Sequence, residues 1–210
     1  YATGSYNTFM GSEAGLGGIT SDPFSSGQYN VAVGTYAFDA FTQGNLNVAV
    51  GYNALSAETI GVSTVAIGDN AGAAQNFGSN GTTYNTLVGS AAGFWNVTGT
   101  GNTYIGSQAG VGVSGNSNSN NTALGANALA GITTGQYNTT LGKDAGKAIT
   151  TANYNTFVGA WSGDAITTAG YNTAVGFQSL AAASDASFNA VFGVQAGKEI
   201  TSGGSNTLMG

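Results

Sequence analysis

A short unit, Asn-Thr-any-apolar-Gly, returns along the whole chain, as in Asn155-Thr156-Phe157-Val158-Gly159. Its closing glycines are Gly11, Gly34, Gly51, Gly68, Gly89, Gly106, Gly125, Gly142, Gly159, Gly176, Gly193 and Gly210, twelve copies in 210 residues. The spacings are 23, 17, 17, 21, 17 and 19 residues and then 17 five times. A period of this size excludes an ordinary globular core, because one repeat is too short to bury its own apolar face and must stack on its neighbours. The reading is all-β: a parallel β-roll or β-solenoid of about twelve 17-residue coils, one repeat array over residues 1–210, expected to be a segment of a longer fibre.

Numbering each repeat from its Asn as position 1 places Val158 at position 4, Gly159 at 5, Gly163 at 9 and Tyr171 at 17. The β-branched run bounded by Asn and Gly predicts a strand of about five residues, with a second short strand and two turns completing the coil. Position 8 is small throughout (Ala109, Ala128, Ala145, Ser162, Ser179), which suits a narrow interior. Glycine is too dense for helix interiors.

Positions 3 and 9 exchange volume. Ala32, Ala49, Ala123 and Ala174 go with Phe38, Leu55, Leu129 and Leu180, whereas Phe9, Leu87, Tyr104, Thr140, Phe157 and Val191 go with glycine; Ala66 with Gly72 is the exception. Close-packed interiors compensate in this way, so positions 3 and 9 are expected to meet inside the coil. Strand alternation then turns position 4 outward, as an unbroken apolar stripe of Met10, Val33, Val50, Ile67, Val88, Ile105, Leu124, Leu141, Val158, Val175, Phe192 and Met209. The other possibility is that position 4 is the core and position 3 faces solvent. An outward stripe of this length exceeds what soluble monomers expose, so the chain is expected to associate through these twelve residues.

Composition narrows function by exclusion. The chain has no histidine, no cysteine and no arginine, three lysines, and a net charge of −6. It therefore lacks a Ser-His-Asp or Cys-His nucleophile and imidazole or thiolate metal ligands. Carboxylates are the remaining acid–base candidates, and they never fall in register in successive coils, so the chain is expected not to be an enzyme. With no Asp ladder or Gly-Gly-x-Gly-x-Asp nonapeptide for calcium, no cofactor is expected. Three lysines do not make a phosphate-neutralising surface, so nucleic acid is not expected as a partner. No run approaches the roughly 18 apolar residues of a spanning helix, so membrane insertion by this segment is not expected either.

Three coils are lengthened after position 9, giving corner loops near 16–29, 73–84 and 111–120. Insertions on one face of a solenoid often carry binding, which makes Asp22, Pro23, Phe24, Asn76, Phe77, Asn80, Asn116 and Asn118 the candidate receptor-binding residues. The Asn column at position 1 is expected to hydrogen-bond along the stack. Tyr29, Tyr84, Tyr137, Tyr154, Tyr171 and Phe188 at position 17 read either as clamps on the coil corner or as a platform for sugar stacking. Lys147 and Asp164, both at position 10, are expected to form an exposed ion pair between adjacent coils.

Asn121-Thr122-Ala123-Leu124-Gly125, Asn172-Thr173-Ala174-Val175-Gly176, Val65-Ala66-Ile67-Gly68 and Val48-Ala49-Val50-Gly51 resemble the head repeats of trimeric autotransporter adhesins. The longer unit is also similar to Asn-Thr-Ala-Val-Gly arrays in tail-fibre-like proteins of bacteriophages. The resemblance implies a parallel homotrimer forming an attachment fibre at a cell surface or on a virion, therefore extracellular, with a surface glycan or cell-envelope receptor as partner. A purely structural filament is the alternative. An ice-binding surface on the position 2 threonines is a third.

Overall fold

The computed structural model describes residues 4–17, 25–78 and 81–210. Twelve strands form one parallel sheet in chain order: β1 (Thr8–Met10), β2 (Val31–Val33), β3 (Val48–Val50), β4 (Val65–Ile67), β5 (Thr86–Val88), β6 (Thr103–Ile105), β7 (Thr122–Leu124), β8 (Thr139–Leu141), β9 (Thr156–Val158), β10 (Thr173–Val175), β11 (Ala190–Phe192) and β12 (Thr207–Met209). No helix interrupts them among the described residues. The chain is a parallel β-solenoid. Register is strict, with Thr156, Phe157 and Val158 opposite Thr173, Ala174 and Val175. The lengthened coils keep it, since Thr8 meets Val31, Val65 meets Thr86 and Thr103 meets Thr122.

Each strand has three residues rather than the expected five, and the cause is local backbone conformation. In the coil of β9, Tyr154 enters with φ +60° and Gly159 leaves with φ +125°, so only positions 2–4 remain extended. Gly159 is required twice over: a Cβ there would sit 2.5 Å from the carbonyl oxygen of Gly176 in the next coil, at a φ that side chains avoid. The expected second strand does not form. Trp161 at φ +55° and Gly163 at φ +60° alternate with right-handed neighbours, so successive N–H groups point down and then up the stack. Trp161 N–H donates to Lys143 O (3.0 Å) in the preceding coil and Gly163 N–H to Ser179 O (3.0 Å) in the following one. The far wall is thus a hydrogen-bonded stack of turns.

Position 3 is buried in every strand from β2 to β11, while position 4 is half-buried or exposed. Position 3 therefore lines the interior, and the reading with position 4 as core is overturned. The volume exchange is a packing contact. A Cβ on Gly163 would meet the Phe157 ring at 2.6 Å, and one on Gly93 would meet Leu87 Cδ2 at 2.7 Å. The exception also resolves, because the space above Gly72 is taken by Leu87 of the following coil. Position 12 forms a third inward column, with Phe41, Ile132, Ile149 and Ile166 fully buried.

The asparagine column runs up one corner of the interior. The Asn138 side-chain oxygen accepts the N–H of Asn155 (3.1 Å), whose own oxygen accepts the N–H of Asn172 (3.0 Å), and so on to Asn206. The amide nitrogens from Asn138 to Asn189 also donate to main-chain carbonyls, as Asn155 Nδ2 does to Ala169 O (3.0 Å). A dry interior tolerates these amides because every donor and acceptor is used.

Candidate interaction surfaces

The outer strand face carries three parallel columns. Position 4 supplies the apolar column predicted for association, a continuous row because each residue opposes its counterpart, as Leu141 opposes Val158 and Val158 opposes Val175. Met10, Ile67, Ile105, Leu124, Leu141, Phe192 and Met209 are exposed in the single chain. Beside it position 2 gives Thr86, Thr103, Thr122, Thr139, Thr156 and Thr173 in unbroken register. Position 17 forms the third column.

In that third column a left-handed backbone turns each ring outward. Tyr137, Tyr154, Tyr171 and Phe188 then stack with ring centroids 5.1, 5.0 and 5.0 Å apart. Tyr6 and Tyr29 form a second stack at 5.0 Å. Stacking occupies the ring faces that a sugar would need, leaving edges and hydroxyls to solvent. Tyr84 differs, since its neighbours in the column are Ser63 and Gly101, and it is an exposed, isolated ring.

The corner loops divide. Asp22, Pro23, Phe24 and Asn80 lie outside the described residues. Asn76 and Phe77 are half-buried; Asn76 Oδ1 accepts from Thr59 Oγ1 (3.1 Å). Asn116 and Asn118 correct the expectation, because both side chains are buried inside the coil. Asn116 Nδ2 donates to Ile132 O (2.9 Å), and Asn118 Oδ1 accepts the hydroxyl of Tyr104. A residue committed inward offers no side chain to a receptor.

Sequence reasoning missed the polar group that occupies the middle of the interior. Thr64 stands where the asparagine column requires an amide, and in the position 12 column Glu58, Gln75, Asn96 and Asn116 replace the apolar residues seen elsewhere. Gln75 repairs the gap, donating to Thr64 Oγ1 (2.8 Å) and Glu58 Oε2 (3.1 Å) and accepting from Asn85 Nδ2 (2.9 Å). The fully buried Glu58 carboxylate accepts N–H groups from Gly61 (2.8 Å), Ile60 (3.2 Å) and Phe77 (3.2 Å). Its ligands are all main-chain or amide donors, so the group acts as a structural plug. The signal was available as the change from Ile to polar residues at position 12.

The expected ion pair between Lys147 and Asp164 does not form. Lys147 Nζ lies 3.6 Å from Asp144 Oδ1 in its own coil, and Lys143 Nζ 3.7 Å from Asp144 Oδ2. Asp144 is nearly buried at position 7, directly within reach of a lysine three residues on. Asp164 Oδ1 is left buried without a hydrogen-bond partner, as is Asp39 Oδ1. Desolvation raises the pKa of both carboxyls above the ordinary value; Glu13 adds to this at Asp39 and Asp144 at Asp164, where Lys147 partly opposes it. Burial likewise pushes up the Tyr104 phenol.

Among the described residues no cluster of three or more acidic side chains is placed to hold a metal ion, and no helix is long and apolar enough to cross a membrane. In comparisons with family models, curated proteins and solved structures, no match to the chain is found.

Proposed function

We propose that this chain is a non-enzymatic shaft or adhesive head of an extracellular attachment fibre, working as a rigid trimeric rod on a cell surface or virion. The observation that carries the reading is the unpartnered apolar column at position 4 on a straight-registered stack of twelve strands. At about 4.8 Å per coil the column is on the order of 50 Å long. Three copies around one axis cover it and close the assembly, and the repeat's resemblance to adhesin heads favours three over two. Because every coil locks to the next by main-chain ladders and core contacts, with asparagine bonds along most of the stack, bending requires many hydrogen bonds to open together. That is the mechanical property an attachment rod needs.

Receptor contact, in this reading, belongs to the lengthened corners, where Asn76 and Phe77 remain partly accessible. The chemistry on offer is amide hydrogen bonding beside an aromatic ring, which suits a neutral glycan. A glycan array probed with the wild-type segment and with a version whose three corners are trimmed to 17-residue spacing tests this. Loss of binding on trimming supports the corner sites. Equal binding by both moves recognition elsewhere, and no binding by either favours a purely structural filament.

A further inference from the structure

Three of the four rings in the stack from Tyr137 to Phe188 are phenols, and the stack places their reactive edges side by side in solvent. We propose that Tyr137, Tyr154 and Tyr171 form a modification site, at which a one-electron oxidant joins tyrosines of successive coils by a carbon–carbon bond.

Parallel stacking distinguishes these residues among the ten tyrosines of the chain, since Tyr36 and Tyr52 also meet across successive coils but edge to face, 6.1 Å apart at 76°. Their backbones take nearly the same left-handed conformation (φ +57°, +60° and +59°), so the three rings leave the solenoid in the same direction. Centroids are 5.1 and 5.0 Å apart with planes inclined by 2° and 20°. The side chains are about half exposed, at 49%, 49% and 54%, so a small oxidant reaches the hydroxyl edge while the neighbouring ring stays beside it. Tyr6 and Tyr29 repeat the arrangement at 5.0 Å and 2°. Tyr84, between Ser63 and Gly101, has no such neighbour in its column, and Tyr104 is sealed in the core.

The oxidant is a haem peroxidase driven by hydrogen peroxide. Each of two phenols gives up one electron and its hydroxyl proton, leaving a radical shared between the oxygen and the ring carbons beside it. One such carbon from each ring joins the other in a new C–C bond. The hydrogen on each joined carbon then moves to its phenol oxygen and restores both aromatic rings. Two electrons and two protons have reduced one hydrogen peroxide to two waters, and the protein has lost two hydrogens.

Joining rings at this separation needs the exposed side chains to slide edge to edge by a few ångströms. Tyr154 has a partner on each side and is the central member. A bond between it and either neighbour staples two coils together outside the hydrogen-bond ladder.

The test treats the folded chain at micromolar concentration with peroxidase and limiting hydrogen peroxide, followed by peptide mapping for bityrosine. Neighbouring phenols held in one molecule have an effective concentration far above that of the chain, so links within the ladder should exceed links between chains by about tenfold or more. The expected products join Tyr154 to Tyr137 or Tyr171, and Tyr6 to Tyr29, with the chain lighter by two hydrogens per link. Tyr154→Phe should abolish links in the upper ladder and leave the Tyr6–Tyr29 link intact, which also shows that the variant is folded and the oxidant active. The same reaction in urea should lose the preference. Links found mainly between chains, Tyr84 linked as often as Tyr154, or an unchanged pattern in urea would overturn the proposal.

Discussion

The coils from Asn121 onward and the coils between Glu58 and Asn116 have the same outline and different interiors. In the first region every spacing is 17 and the position 12 column is apolar throughout, as Ile132, Ile149, Ile166, Ala183 and Ile200. In the second the spacing varies, the asparagine column is broken at Thr64, and Glu58, Gln75, Asn96 and Asn116 fill the column with hydrogen-bonding groups. The strand face does not register the difference, since β4 to β7 pair as regularly as β8 to β11. The solenoid's outer register is held by the sheet and the glycines, while the interior accommodates either apolar side chains or a polar group whose hydrogen bonds are mostly satisfied, Asn116 Oδ1 and Asn118 Nδ2 being the buried atoms there without a partner.

Exchanging the two interiors breaks this most sharply. Ile149→Gln puts an amide into a column with no partners and should cost about 3–5 kcal/mol. Glu58→Ala leaves the N–H groups of Gly61, Ile60 and Phe77 without that acceptor and should cost about 2–4 kcal/mol. Hydrogen exchange should show the loss confined to the altered coil and its neighbours, because repeat arrays couple mainly to nearest neighbours. If Glu58→Ala is neutral, the plug is dispensable and the two regions are not held differently.

A second exchange tests the rule common to both. Phe157→Ala should cost about 3–5 kcal/mol by leaving a cavity. Gly163→Leu alone should clash with the Phe157 ring. The double variant reproduces the Ala174–Leu180 arrangement, in which Leu180 tolerates φ +52°, and should recover to within about 1 kcal/mol of wild type by denaturant unfolding. Additive losses would show that positions 3 and 9 do not share one space.

The smallest effect concerns charge. Burial raises the pKa of Asp39 and Asp164, so the folded chain holds these protons more tightly than the unfolded chain. Stability from them is present at pH below the ordinary value of 3.8 and is lost as pH rises through the raised pKa. Asp39→Asn with Asp164→Asn should therefore be more stable than wild type at neutral pH, by under about 1 kcal/mol after screening. The two proteins should converge in acid; a variant less stable at neutral pH contradicts the assignment.

A feature of this molecule is legible in the sequence to the extent that it repeats. The sheet, its register and the inward position 3 recur in every coil, and the exchange with position 9 and the asparagine column in all but the coil of Thr64, so period alone exposes them. Strand length was overestimated because Tyr154 and its equivalents are left-handed without being glycine, a conformation that residue type does not announce. The Glu58–Gln75–Thr64 group escaped notice because it occurs once and depends on contacts between coils. Asn116 and Asn118 looked like loop residues for the same reason: their inward turn depends on Ile132 and Tyr104.

The outer face is where the two regions agree, and it carries the central claim that copies of the chain meet along position 4. Sedimentation equilibrium of the wild-type segment and of Val158→Asp measures this directly. A species of three times 20.6 kDa for wild type, dissociating or failing to assemble when a charge is placed at Val158, is the predicted result. A folded wild-type monomer of 20.6 kDa, or a Val158→Asp variant that assembles as well as wild type, would contradict it.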